Sequence, residues 1–141
     1  MSARAKVYFS LMGDDFDPDE ITKELGVIPT SKHKTGDPGR YKPRLDFSAW
    51  ELSTEEMETL DIDPLVTCIY DQLIGKSSEI RRLIEKYELK AVLEVVLWID
   101  TNQEESTPAL GFDDKVISFL HQVGAVIDID MYRFDSRQKN K

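Results

Sequence analysis

The residues whose types and spacing could do chemistry are mostly carboxylates set among aromatics. Asp128-Ile129-Asp130 places two acids on one face of a strand, roughly 6.5–7 Å apart by strand rise. That pair could serve acid–base work or hold a cation, although paired acids on a wet strand are also commonly just solvated. Asp14, Asp15, Asp17, Asp19 and Glu20 have the outline of a calcium loop. Counted from Asp15, however, the sixth position is Glu20 rather than Gly and the twelfth is Gly26 rather than Glu, and Pro18 intrudes; a helix cap explains these acids better. With only His33 and His121 there is no histidine-rich metal set, and Cys68 is the single cysteine, read as a core or boundary thiol. No Ser–His–Asp or Cys–His arrangement stands out, so the sequence assigns no catalytic residue, no cofactor and no metal site.

A second set lies in Pro29-Thr30-Ser31-Lys32-His33-Lys34-Thr35-Gly36-Asp37, where lysines, hydroxyls and a glycine could hold an anion. The phosphate-loop pattern GxxxxGK[ST] is absent, and the plain reading is a solvated basic loop that answers, or docks on, an acidic body. The charge distribution fits that reading. The net charge is −9, yet Ser31–Arg44 carries Lys32, Lys34, Arg40, Lys42 and Arg44 against Asp37 alone, which makes it +4 and the rest −13. A phosphate backbone would be repelled by such a surface on average, which argues against broad nucleic-acid binding. No apolar run reaches the ~18–20 residues of a membrane span, and the short alternating stretch at the N-terminus is no secretory signal. These features point to the cytoplasm.

The elements that must position these residues follow from periodicity. Leu89–Asp100 is the longest apolar run and reads as a central strand, with Ala91, Leu93, Val95, Leu97 and Ile99 on a buried face and Lys90, Val92, Glu94, Val96, Trp98 and Asp100 on a mixed one. Lys6–Met12, Phe47–Leu52 and Ala125–Phe134 also alternate, and Ala109–Phe112 reads as a short strand. In Ala125–Phe134 the inward residues are Ala125, Ile127, Ile129 and Met131. Helices start at Asp17-Pro18, at Asp63-Pro64, at Ser77 or Ser78, and at Asp113, with Gly26, Gly75 and Gly124 as stops. Val116, Ile117, Leu120 and Val123 form the inward stripe of the last one. Thr54–Asp61 reads as one exposed helical turn. Val27–Leu45 lacks a period and is longer than most loops in a compact domain, a length usually associated with function or mobility.

The expected architecture is one α+β domain over residues 1–134 with a charged, frayed tail at 135–141. Its sheet is five-stranded and mostly antiparallel, helices cover one face, and the last strands have a split βαβ, ferredoxin-like flavour. The uncovered face would then display Tyr8, Ser10, Glu94, Val96, Trp98, Asp128, Asp130 and Tyr132. Aromatics among carboxylates can grip a cationic ligand or a basic partner surface, and Tyr8, Glu94, Trp98, Asp128, Asp130 and Tyr132 are the partner-binding candidates. A second copy of the chain is another partner that such a face would accept.

Several stretches taken together resemble a known family: Gly13–Thr22 (GDDFDPDEIT), Leu25–Thr30 (LGVIPT), Lys34–Asp37 (KTGD), Ser48–Leu52 (SAWEL) and Gly124–Tyr132 (GAVIDIDMY). The chain is similar, over nearly its whole length, to the mainly bacterial domain of unknown function numbered 4279. The resemblance implies a single α+β domain and supplies no activity. It also draws attention to Thr30, Gly36, Asp37 and Trp50, which with Lys32 and Lys34 make up the ligand-binding candidates around the long loop. Two functions are therefore expected. The first is a non-enzymatic interaction protein, immunity-like by analogy alone, that engages a basic protein through the outer sheet face. The second is a small-ligand binder or enzyme with a cleft between the 27–45 loop and the sheet.

Overall fold

The computed structural model describes residues 3–138. Strand β1 (Arg4–Gly13) occupies the middle of a mixed sheet. Its alternation buries Ala5, Val7, Phe9 and Leu11 and turns Lys6, Tyr8 and Ser10 to the other side. Helix α1 (Pro18–Leu25) follows, capped by the Asp17 carboxylate, which accepts the Asp19 N–H at 3.0 Å, and closed by Gly26 at φ 67°. Strands β2 (Ser31–His33), β3 (Ser48–Ser53) and β4 (Met57–Glu58) come next. Helices α2 (Asp63–Leu73) and α3 (Ser77–Tyr87) are joined by a single 3₁₀ turn at Ile74–Lys76. Strand β5 (Lys90–Asp100), helix α4 (Asp114–Val123) and strand β6 (Val126–Phe134) complete the chain.

The sheet order is β2-β3-β1-β5-β6, with β4 also paired to β1. The β1–β3, β1–β4, β1–β5 and β2–β3 pairs are antiparallel, and β5–β6 is parallel. The expected class therefore holds, and the sheet is mostly antiparallel as expected, but it has six strands rather than five and is mixed through its one parallel pair. The ferredoxin-like flavour also fails in its defining detail. Strands β5 and β6 are hydrogen-bonded neighbours across the α4 crossover, so the βαβ unit is not split by an intervening strand.

The other departures have local causes. Thr54–Asp61 is not a helical turn: Met57 and Glu58 pair with Ala5 and Arg4, the part of β1 that β3 leaves free. Ala109–Phe112 forms no strand; Ala109 makes one parallel bridge to Asp61. Neither Asp63 nor Ser77 caps its helix with its side chain, and Gly75 lies inside the 3₁₀ turn rather than ending a helix. On α4 the inward stripe includes Phe119, while Ile117 is 52% exposed. Cys68 is exposed, not a core thiol. Of the tail, Ser136 is tied back by its N–H to the Asp100 carboxylate at 3.1 Å, and residues 139–141 lie outside the described region.

All four helices pack on one face. The core joins Val7, Phe9, Leu11, Trp50, Leu93, Val95 and Leu97 to Ile21, Leu25, Ile69, Leu73, Ile80, Leu83, Phe119 and Leu120. Every sheet member of that core points one way, so the opposite face carries no helix among the described residues. Strand β6 outruns its cover as well. Ile127 and Met131, expected to be inward, stand out of the core, with Met131 62% exposed.

Candidate functional site

The register of β1, β5 and β6 writes the uncovered face in rows. Tyr8, Glu94 and Asp128 are direct neighbours across the three strands; Lys6, Val96 and Asp130 form the next row; Arg4, Trp98 and Tyr132 the one after. Directly paired residues share a face, so this register brings all six outer-face candidates together. Trp98 and Tyr132 stack with ring centroids 5.9 Å apart and planes 21° from parallel. The Arg4 guanidinium lies over Trp98 at 5.4 Å and is ion-paired with Glu56. A stacked pair of this kind presents a flat apolar surface with a cation at its rim.

Toward the other end the face dips into a shallow concavity of about 380 Å³, lined by Tyr8, Ser10, Met12, Glu51, Lys90, Val92, Glu94, Val126, Ile127 and Asp128. Of these, Glu51, Lys90 and Met12 are additions to the sequence-derived set. Glu51 could have been found, because burying Trp50 and Leu52 on β3 sends Ala49, Glu51 and Ser53 to the open side. Carboxylate oxygens of Glu94, Asp128 and Asp130 lie within 4.8 Å of one another, and Glu94 is buried while the aspartates are exposed. Burial, then hydrogen bonding and repulsion from Asp128 and Asp130, push the Glu94 carboxyl up to about 8. Burial and the same acids, with Glu51, push the Tyr8 phenol up to about 12. Burial likewise raises Glu51, with nearby His33 and Lys6 opposing the rise. The cluster can accept a proton, an ammonium or guanidinium group, or a metal cation.

The loop candidates are arranged differently. Thr30 exchanges hydrogen bonds with the Ser53 backbone, its hydroxyl accepting the N–H at 2.9 Å and donating to the carbonyl at 3.3 Å. Lys32 is ion-paired with Asp19. The Asp37 carboxylate accepts the Lys34 N–H at 2.7 Å, and Gly36, at φ 94°, supplies the left-handed turn between them. Trp50 is fully buried and donates its indole N–H to the Thr22 hydroxyl at 3.1 Å. Lys32, Lys34 and Asp37 do share a small concavity of about 190 Å³, walled by edge strand β2 through Lys32 and His33 on one side and by Asp17, Pro18 and Asp19 of the α1 start on the other. Thr30, Gly36 and Trp50 do not line it.

Against known families, the model of the Domain of unknown function (DUF4279) matches residues 3–134. The chain belongs to the DUF4279 family. That match spans the whole sheet, so both the open face and the 27–45 loop are parts of the DUF4279 domain rather than appendages to it. No curated protein and no solved structure matches this DUF4279 chain significantly. No helix is long and apolar enough to cross a membrane among the described residues.

Proposed function

We propose that this chain is a non-enzymatic, cytoplasmic interaction domain that captures a basic protein segment on its open sheet face, in the manner of an immunity protein. The carrying observation is that Glu94, Asp128 and Asp130 converge beside the stacked Trp98 and Tyr132 on a face without a helix. Arginine and lysine side chains of a partner would meet carboxylates and aromatic faces together, and aromatic anchors of this kind dominate binding energy in protein interfaces.

The edge of the sheet supports the same reading. Strand β6 ends the sheet order, and its exposed Val126, Met131 and Tyr132 lie along that edge. A long edge strand with apolar side chains accepts an added strand. A second copy of the chain is the weaker occupant. Antiparallel pairing of two copies about Ile129 sets Asp128 against Asp130 of the other copy, and pairing about Asp128 or Asp130 sets that residue against itself. Like charges directly opposite are destabilising, whereas a strand with lysine or arginine at alternate positions meets both aspartates.

The second reading, a small-ligand site at the long loop, draws on the concavity around Lys32, Lys34 and Asp37. Its weakness is that Lys32 and Asp37 already have partners within the fold.

The test is affinity capture from the native host's lysate at low and high salt, with wild-type chain, Trp98→Ala/Asp130→Asn and Lys34→Ala. A stoichiometric basic protein held at low salt by wild type and Lys34→Ala, and lost by the double variant, is expected. Retention of the same protein by the double variant would sink the proposed face, as would the lack of any partner at either salt.

A further inference from the structure

Glu94, Asp128 and Asp130 come from two adjacent parallel strands. The β5–β6 register places Glu94 level with Asp128 and Val96 level with Asp130, so Asp128 lies beside the glutamate and Asp130 one row on, all on the same face. Three points no more than 4.8 Å apart fit within a circle of radius 4.8/√3, or about 2.8 Å, close to the 2.3–2.6 Å at which calcium takes oxygen ligands. Shifts of a few tenths of an ångström in the exposed aspartate side chains close the difference.

A cluster of acids alone would prove little, and here a second observation points the same way. Glu94 is only 8% exposed, and its buried Oε2 receives no hydrogen bond from any donor among the described residues. Native structures seldom leave a buried carboxylate oxygen unpaired unless an ion or water supplies the partner. No ion pair among the described residues neutralises any of the three acids. Lys6, on the same face, lies over the Tyr8 ring at 5.7 Å.

We propose that Glu94, Asp128 and Asp130 bind one large, hard divalent cation of the calcium class on the open face of the sheet. All three ligands are hard oxygens, which selects against soft metals. The cluster opens onto the concavity, leaving room for the water ligands that complete a sixfold or higher shell. Calcium tolerates irregular coordination, whereas magnesium demands near-ideal octahedra at 2.0–2.1 Å, so an open, unevenly spaced trio favours calcium. This inference concerns the isolated chain and stands apart from the partner proposal. A bound cation and a partner's basic group would compete for the same carboxylates.

The test is calorimetric titration of the full chain, stripped with chelator, using CaCl₂ and then MgCl₂, with Asp128→Asn, Glu94→Gln and Asp15→Asn in parallel. One equivalent of calcium is expected, with magnesium binding more weakly. Affinity should fall by more than about tenfold in Asp128→Asn and in Glu94→Gln, at least the loss seen for removing an outer-shell partner of a metal, and should stay unchanged in Asp15→Asn. Asp128 is exposed, so its variant keeps the test valid should Glu94→Gln fail to fold. No calcium uptake by wild type, equal uptake by Asp128→Asn, or magnesium binding as tight as calcium would each overturn the proposal.

Discussion

Glu94 is the residue on which the open face turns, because burial and its two aspartate neighbours oppose its ionisation. Its carboxyl rises from the ordinary 4.5 to about 8 on folding. Between those values the metal-free native state holds a proton that the unfolded chain releases. Stability is then fully present below the unfolded value and is lost as pH rises through about 8. Glu51, also raised by burial, adds to the same slope. Urea unfolding of the chelator-treated chain should show stability falling over that window. Glu94→Gln should flatten much of the fall and be more stable at its upper end by about 1–3 kcal/mol, the scale of one uncompensated buried polar group. An unchanged slope in the variant would mean that Glu94 titrates normally. The position of this residue on the outer face was legible from alternation in Leu89–Asp100, and so were the positions of Trp98, Asp128 and Tyr132. What alternation could not reveal was the convergence of Glu94 with Asp128 and Asp130, which depends on a parallel β5–β6 register that no local pattern encodes.

Among the elements, the long 27–45 segment is held by a residue that its own sequence does not contain. Ser48, fully buried at the start of β3, has a hydroxyl that accepts the Thr35 N–H at 2.9 Å and the Phe16 N–H at 3.3 Å. It thereby ties the loop and the β1–α1 connection to the sheet. Ser48→Ala should leave both N–H groups without that partner and cost about 1–3 kcal/mol in denaturant unfolding. A loss within ~0.5 kcal/mol, as for an ordinary surface change, would show that the loop does not rely on this tie. The loop's aperiodic sequence conceals both this tie and β2, whose three residues pair only because β3 offers an edge. Strand β4 was misread for a similar reason: the vacancy it fills on β1 is a property of the sheet, not of Thr54–Asp61. By contrast, the starts at Asp17 and Asp113 and the stops at Gly26 and Gly124 were readable, whereas those assigned to Asp63, Ser77 and Gly75 were not. Asp113 caps α4 by accepting the Val116 N–H at 3.0 Å, and Gly124 closes it at φ 82°. Adding a methyl at Gly124 would strain the left-handed turn and meet Arg81 at 2.5 Å, so Gly124→Ala should lower stability by about 1 kcal/mol, readable as a drop in Tm.

At the scale of the whole molecule, the acidic body and the basic loop do not act as two separate charged surfaces. Lys32 is paired with Asp19, Lys42 with Asp46 at 2.8 Å, and Arg44 donates to the Gly36 carbonyl at 2.9 Å. Two of the loop's five cations are thus paired with carboxylates, and the negative charge of the body includes the carboxylates of the open face, which have no ion-pair partner among the described residues. The field that a proposed basic partner would meet is negative, and its association should slow steeply as added salt shortens the screening length below about 8–10 Å. On the function proposed above, this face and not the loop receives the partner. The most direct measurement is the amide NMR footprint of the captured partner on the labelled chain. Shifts are expected at Tyr8, Glu94, Trp98 and Asp128–Tyr132, with the 27–45 segment unmoved. Shifts centred on Lys32–Asp37 and the start of α1, with β5 and β6 silent, would contradict it and place the site at the loop.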